Sequence, residues 1–371
     1  MMEHDIKHIA ENFNLASKLI RSEPFGSGHI NDTYCLTCEK DGRISHYILQ
    51  RINHEVFKNP PAMMENIRRV TNHIHCKLQK QQNKLASRQL VVIDTKDGAD
   101  FHQDDQGNYW RLYNQIENAI TYDTIESPEL AYEAARMFGR FAAMLTDLPG
   151  PPLHETIPDF HATPKRFKTF TEVLQHDPCN RAKDVTAEID FVLQNAGICD
   201  VLLNHADKGE IPARITHNDT KINNVLLDEK THEGVCVIDL DTVMPGLSLY
   251  DFGDMVRTAT NPAEEDERDL SKVTMRMSIF EMLLKGFAVE THMFLTLTEK
   301  KNMVFAGKLI TFEQMIRFLA DHLAGDIYYK IHREDHNLDR CRTQMKMVQS
   351  INTQEETMNA LADSIFEELS R

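Results

Sequence analysis

The sequence predicts an α+β chain in two lobes: a small N-terminal antiparallel β lobe with one helix (residues 1–115) and a larger, mostly helical C-terminal lobe (residues 116–371). Three observations predict it. Strand-like runs dominate the first 115 residues, and beyond Pro128 apolar residues recur at helical spacing. The helical half is interrupted once, between Ile215 and Asp241, by two apolar, partly β-branched runs around a polar, Gly-ended connection, the signature of a hairpin. A chain of 371 residues is long for one simple core, and 41% hydrophobic residues can fill two.

Taken in order, Ile6, Ile9, Phe13, Leu15 and Leu19 predict an amphipathic helix over roughly the first 20 residues. Strands follow at Tyr34 to Thr37 and Tyr47 to Ile52, joined by a turn at Asp41 and Gly42. Pro60 and Pro61 precede a helix from Ala62 to about Lys84, with Met63, Ile67, Val70, Ile74 and Leu78 on one stripe as core. Leu90 to Asp94, Gly98 to Phe101 and the run from Tyr109 complete the small sheet, and a polar connection over Asn114 to Asn118 leads out of it. Helices are expected at 129–146, near 167–176, at 185–206, and at 267–293, 298–330 and 338–370.

A net charge of −16, from 41 basic and 57 acidic residues, argues against nucleic acid as a partner. Seven scattered cysteines follow no disulfide spacing, which points to reduced thiols and a cytoplasmic protein. Cys35-x-x-Cys38 should alternate across a strand and has no second pair, so a zinc site is not expected. No apolar run approaches the length of a membrane span, and no secretory signal opens the chain. The expectation is a monomer that meets neither membrane nor nucleic acid.

The chemistry concentrates at Ile215 to Asp241. If Asp228 faces Val235 in the hairpin, Asn224 faces Asp239, and an amide oxygen opposite a carboxylate suits Mg²⁺. Asp219 sits just upstream, able to accept a proton from a hydroxyl. The spacing His217-x-Asp219-x-x-x-x-Asn224 matches the logic of a kinase catalytic loop, in which one Asp takes the nucleophile's proton while an Asn and a second Asp hold the metal. Gly26 and Gly28, at the entry to the first strand pair, allow the backbone to approach phosphates. Protein kinases place a lysine on the third strand, but here Gln50 stands there with Arg51 beside it. Alternation lets only one of the two face the cleft, so either Gln50 binds without charge, or Arg51 or the glycine loop takes the load. Asp251-Phe252-Gly253 imitates the kinase metal triplet, yet it lies twelve residues beyond Asp239 and at a helix start. Asp251 and Asp254 are therefore expected to cap that helix and brace the loop.

These motifs resemble the aminoglycoside phosphotransferase and choline kinase branch of the protein-kinase-like fold. Within it, the text is more similar to the sugar kinases acting on N-acetylhexosamines, which also carry glutamine at the strand-lysine position. The resemblance rests on residues 24–31 (Pro-Phe-Gly-Ser-Gly-His-Ile-Asn), 47–50, 216–224, 238–246, 251–254 and 315–329. It implies transfer of the ATP γ-phosphate to the anomeric hydroxyl of N-acetylglucosamine or N-acetylgalactosamine, with Asp219 as base and substrate contact and Asn224 and Asp239 as Mg²⁺ ligands. Lys221 would neutralise the transferring phosphate. Nucleotide contacts would come from Gly26, Ser27, Gly28, His29, Asn31, Gln50 and the hinge residues Gln115 and Ile116, with His29 open to sugar or nucleotide. Asp241 would be a backup ligand or a sugar contact. Arg317, Asp321 and Tyr328, on one helical face, would meet the sugar, the alternative being an Arg317–Asp321 salt bridge with Tyr328 in the core.

Overall fold

The computed structural model describes residues 4–15, 17–26 and 30–371. In chain order the elements begin with α1 (Ile6–Ala10), β1 (Lys18–Pro24), β2 (Asp32–Lys40), β3 (Arg43–Ile52), α2 (Pro60–Lys80), β4 (His102–Gln103), β5 (Tyr109–Asn114) and β6 (Ala119–Ile120). Then come α3 (Pro128–Met144), α4 (Thr163–His176), α5 (Thr186–Gln194), α6 (Val201–Asp207), β7 (Arg214–Thr216), β8 (Val225–Asp228) and β9 (Gly234–Val237). The chain ends with α7 (Ser248–Ala259), α8 (Met277–Thr291), α9 (Leu297–Lys301), α10 (Met303–Ala324) and α11 (His336–Leu369). It packs as two compact units. One comprises Met1–Ile120, Met144–Pro158 and Leu226–Pro245; the other comprises Thr121–Ala143, Asp159–Val225 and Gly246–Arg371.

In the first unit a five-stranded antiparallel sheet runs in the order β1-β2-β3-β5-β4. β2 and β3 close at Lys40↔Arg43 through Asp41 and Gly42, both at positive φ, as a two-residue hairpin of this hand requires. Leu36, Cys38, Leu49, Trp110 and Leu112 form one buried face, on which Ile9, Ala10 and Phe13 pack. The opening helix stops at Ala10, and residues 18–24 form edge strand β1 instead. Pairing with β2 satisfies a row of backbone groups that a surface helix with one apolar stripe would leave on an open sheet edge. Residues 90–101 are also less regular than expected. Val92 makes a single bridge to Tyr113, and Arg68 draws Asp94 and Asp100 onto its guanidinium, so the strand shrinks to β4.

Asn59 caps α2, its side chain accepting the Ala62 N–H at 3.2 Å, and Pro60 takes the first turn, where a missing N–H does no harm. The fully buried Asn66 of α2 donates to the carbonyls of His154 and Val243 and accepts from the His154 N–H. The β8–β9 hairpin exists and is joined by β6, but its register is not the expected one. The Asp228 N–H donates to the Glu233 carbonyl, two residues short of Val235. Asn224 ends a 3₁₀ turn (Ile222–Asn224), and Asp239, at φ 59°, lies past the strand. The predicted Asn224–Asp239 cross-strand pair is therefore not made.

In the second unit α10 is the axis. Its Phe312, Met315, Ile316, Phe318, Leu319 and Leu323 bury against α4, α5 and α11. α7 crosses α10 closely enough that a Cβ on Gly253 would lie 2.5 Å from the Ala306 carbonyl, and one on Gly307 would lie 2.7 Å from Val256 Cγ1. Glycine there is a packing requirement. The helix predicted to run to residue 330 stops at Ala324: Gly325 and Asp326 both have positive φ, and the Asp321 carboxylate gathers the N–H groups of Ile327, Tyr328 and Tyr329 at 2.8–3.0 Å. α8 starts at Met277, ten residues later than expected, because the acidic run before it folds onto Lys272 and Arg333. Among the described residues no helix is long and apolar enough to cross a membrane.

Candidate active site

In the second unit the turn after β7 carries His217 to Asn224, and its backbone is held by the start of α7. Asp251 accepts the N–H groups of His217 at 3.0 Å and Asn218 at 2.7 Å; Asp254 accepts that of Thr220 at 2.9 Å, and the Thr220 hydroxyl donates to the Asp251 carbonyl at 2.6 Å. Both carboxylates are buried, and Arg257 balances Asp254 at 2.9 Å. Asp251 thus serves the turn's backbone as the expected brace, while the expected cap is not made: the N-cap of α7 is Leu247, with no side-chain cap bond. Asn218 takes positive φ within the turn, and Asp219 next to it is half-buried.

Asp219 keeps one oxygen on Lys221 Nζ at 3.0 Å, while Asn224 Nδ2 reaches the other at 3.2 Å and the Asp219 carbonyl at 2.8 Å. Burial works to raise the Asp219 carboxyl, but Lys221, then His217 and Arg257, outweigh it and hold it below its usual range, so it stays ionised. Asp219 in turn raises the Lys221 ammonium. The Asn224 amide spends its N–H groups on Asp219 and leaves Oδ1 as the atom that can face a cation. That hard oxygen suits Mg²⁺ and would be a poor zinc ligand. No cluster of three or more His, Cys, Asp or Glu residues with metal geometry occurs among the described residues, so any ion here relies on few protein ligands, as Mg²⁺ with phosphate ligands does.

A second layer supports the turn. His161 Nε2 donates to the Asn218 carbonyl at 3.2 Å, and its Nδ1 meets Glu313 of α10 at 2.9 Å. Both partners are acceptors, so both ring nitrogens carry protons and His161 is an imidazolium. Burial works against that charge, but Glu313 overcomes it and raises the pKa; the same pairing holds Glu313 below its ordinary range against its own burial. The neighbouring Phe160 ring lies 5.8 Å from the Arg317 guanidinium carbon, one helical turn beyond Glu313. Arg317 also stands over Tyr329 at 5.7 Å and borders a cavity of about 220 Å³ with Arg166, Asp321, Tyr328 and Tyr329.

The structure corrects the reading of this helix face. Tyr328 is exposed and lies beyond the end of α10, not on it. Asp321 is buried and makes no salt bridge to Arg317. Besides the three backbone donors it takes Asn337 Nδ2 at 2.9 Å, so its work is to hold the Tyr328 turn. Arg317 donates to Gln314 at 3.3 Å.

In the first unit, Gly26 has the positive φ expected of a glycine loop; Ser27, Gly28 and His29 lie outside the described residues. The Gln115 N–H is paired with the His46 carbonyl, and the Ile116 side chain enters a small core with Val235 and Cys236. Arg51 points away from Gln50 and pairs with Asp32 at 2.5 Å. Gln50 donates to Thr33 at 3.1 Å and accepts from Arg111 Nε at 2.9 Å. Arg111, on β5 directly opposite Gln50, is buried and ion-paired with Asp241, which also accepts Asn31 Nδ2 at 2.8 Å. Asp241 is therefore a structural partner of Arg111 and Asn31, with one donor on each oxygen. Leu240–Thr242 is a 3₁₀ turn, so strand alternation does not set the direction of Asp241. Arg111 was not singled out by sequence. An arginine between Trp110 and Leu112 in an apolar strand was the available signal.

A family model described as the phosphotransferase enzyme family (APH) matches residues 21–272. The chain belongs to this family, whose members include aminoglycoside phosphotransferases and choline-kinase-like enzymes. Solved structures share its protein-kinase-like fold. An aminoglycoside phosphotransferase from Alicyclobacillus acidocaldarius subsp. acidocaldarius DSM 446 aligns with TM-score 0.59 at 13% identity, covering 100% of this chain and 98% of that one. A choline kinase from Cryptosporidium parvum Iowa II gives 0.57 at 11%, covering 97% and 99%. The spectinomycin phosphotransferase APH(9)-Ia, solved with ADP and spectinomycin, gives 0.54 at 11%, covering 95% and 97%. The family model thus makes the chain a member of a phosphotransferase family.

Proposed function

We propose that this phosphotransferase moves the γ-phosphate of ATP to the anomeric hydroxyl of an N-acetylhexosamine, giving the sugar 1-phosphate. Asp219 carries the reading: an ionised carboxylate at the end of a braced turn, with a lysine on one oxygen and an asparagine on the other. Its role is to orient the acceptor hydroxyl and take its proton as the O–P bond forms. Lys221, already charged and half-exposed, can turn to the transferring phosphoryl oxygens. Asn224 and Asp239 would hold Mg²⁺, which supplies charge neutralisation on the phosphates when bound.

The cavity beside Arg317 supports this acceptor class. Its walls carry two guanidiniums, Arg166 and Arg317, two tyrosines, and one carboxylate, Asp321, whose oxygens already serve backbone and Asn337. Such a pocket suits a neutral, oxygen-rich molecule with a carbonyl to accept from arginine and a ring to lie on tyrosine. A cationic acceptor, such as choline or an aminoglycoside, would meet like charge. Seven unpaired cysteines support a reducing, cytoplasmic setting, and we propose a monomer.

The test is a panel of acceptors with ATP and Mg²⁺, read by phosphorus NMR. N-Acetylglucosamine or N-acetylgalactosamine should give a sugar 1-phosphate, while choline, homoserine and kanamycin should not react. Turnover on a cationic acceptor alone would replace this reading with an amino alcohol or aminoglycoside kinase, and no turnover on any would favour a silent nucleotide-binding protein.

A further inference from the structure

The strand that should carry a lysine carries Gln50, and no residue of β3 replaces its charge, since Arg51 faces Asp32. In protein kinases that lysine is paired with a glutamate of the helix after the strand. Here the corresponding helix, α2, offers Glu65, which is instead bonded to His154 Nε2 at 2.9 Å. Both halves of the usual ion pair are therefore absent from their places. The same face of the sheet nevertheless holds an ion pair. Thr33, Gln50 and Arg111 stand in one row across β2, β3 and β5, and the Arg111 guanidinium joins Gln50 to Asp241. Asp241 is two residues from Asp239, on the same 3₁₀ turn. Asn31, at the exit of the glycine loop, binds the other Asp241 oxygen and also accepts the Asn53 N–H at 2.9 Å.

We infer that Arg111 supplies, from the neighbouring strand, the buried cation that β3 lacks, and that its carboxylate partner is Asp241, beside Asp239, in place of a glutamate on helix α2. Arg111 is a positioning residue: at about 1% exposure it acts through Asp241, fixing the Asp239 turn and the glycine-loop exit against the sheet. The fork of the guanidinium explains why the residue is arginine. One edge serves Gln50 and another Asp241, which a single ammonium would do less rigidly. Burial opposes its charge, but Asp241, Tyr113 and Asp239 keep it protonated, so it also counters the negative field of the two aspartates. Asn66 pins α2 to the Val243 carbonyl just beyond, so helix and turn stay connected without the usual salt bridge.

This inference rests on the proposed use of ATP with Mg²⁺ but not on the identity of the acceptor. The test is ADP binding by calorimetry, with and without Mg²⁺, on Arg111→Gln, Arg111→Lys, the double variant Arg111→Gln/Asp241→Asn, and the swap Gln50→Lys/Arg111→Gln. The expected result is that R111Q weakens Mg·ADP binding by about 10–100-fold, the worth of a charge-assisted hydrogen bond, while metal-free ADP binding is unchanged. R111K should fall between, and the swap should recover most of the loss by returning the cation to β3. Should R111Q fold poorly because Asp241 is left buried and unpaired, the Arg111→Gln/Asp241→Asn protein, without that charge, should fold and still lack the Mg²⁺-dependent gain. Wild-type Mg·ADP affinity in R111Q or in that double variant overturns the inference, as does a loss equal with and without Mg²⁺, which would mark a merely structural residue. A wild-type protein that binds Mg·ADP but phosphorylates no sugar defeats the proposed function and leaves this inference standing.

Discussion

Each unit contains a buried ion pair that helps hold a turn, and two of these pairs are built differently. Arg111–Asp241 ties the Asp239 turn to the sheet, and His161–Glu313 ties the Asp219 turn to α10. All four side chains are nearly or fully buried. Arginine is charged in the folded and unfolded chain alike, so its pair is insensitive to ordinary pH. Histidine is charged here only because Glu313 raises it, so that pair titrates. The Asp239 turn is thus held by a permanent charge, and the Asp219 turn in part by one that pH can remove.

The largest expected effect separates chemistry from binding. Asp219→Asn should lower turnover by about 10²–10⁴-fold while ADP affinity, measured by calorimetry, stays near wild type. A parallel loss of both would mean that the Asp219 turn also shapes the nucleotide side. Next, Glu313→Gln strands a buried imidazolium and should destabilise the fold by about 3–5 kcal/mol in denaturant unfolding, and by less at a pH where His161 is neutral, since its Nε2–H can still donate to the Asn218 carbonyl while Nδ1 accepts from the new amide. If the cavity that Arg317 borders takes the acceptor as proposed, Arg317→Ala should raise the acceptor KM by about 10–100-fold with the ATP KM unmoved.

The smallest effect is the pH dependence, and it discriminates the two pairs most directly. His161 binds its proton more tightly folded than unfolded, so its contribution to stability is complete below its ordinary pKa of 6.5 and is lost as pH rises through the higher folded value. Glu313 behaves in the opposite sense, contributing above its ordinary 4.5 and losing that as pH falls through its lowered value. Unfolding measured from pH 6 upward should therefore show a decline of about 1 kcal/mol per pH unit at most, absent in His161→Gln and unchanged in Arg111→Lys.

The sequence by itself determined the parts set by short separations. His217, Asp219, Lys221 and Asn224 lie within one turn, and their spacing pointed to phosphoryl transfer. The brace role of Asp251 and Asp254 was legible from their place at a helix start, and most helices were legible from apolar spacing. Helix ends were less so: α10 stops where two residues at positive φ and a carboxylate gathering three N–H groups make a turn cheaper than another coil. What only the tertiary structure decided depends on pairing between distant segments. The hairpin register set Asp228 against Glu233, and the sheet order set Arg111 beside Gln50, 61 positions away, and against Asp241, 130 positions away. Strand periodicity tells which face a residue takes but not which strand lies next to it, so the relocated cation became visible only when β3 and β5 were seen to pair.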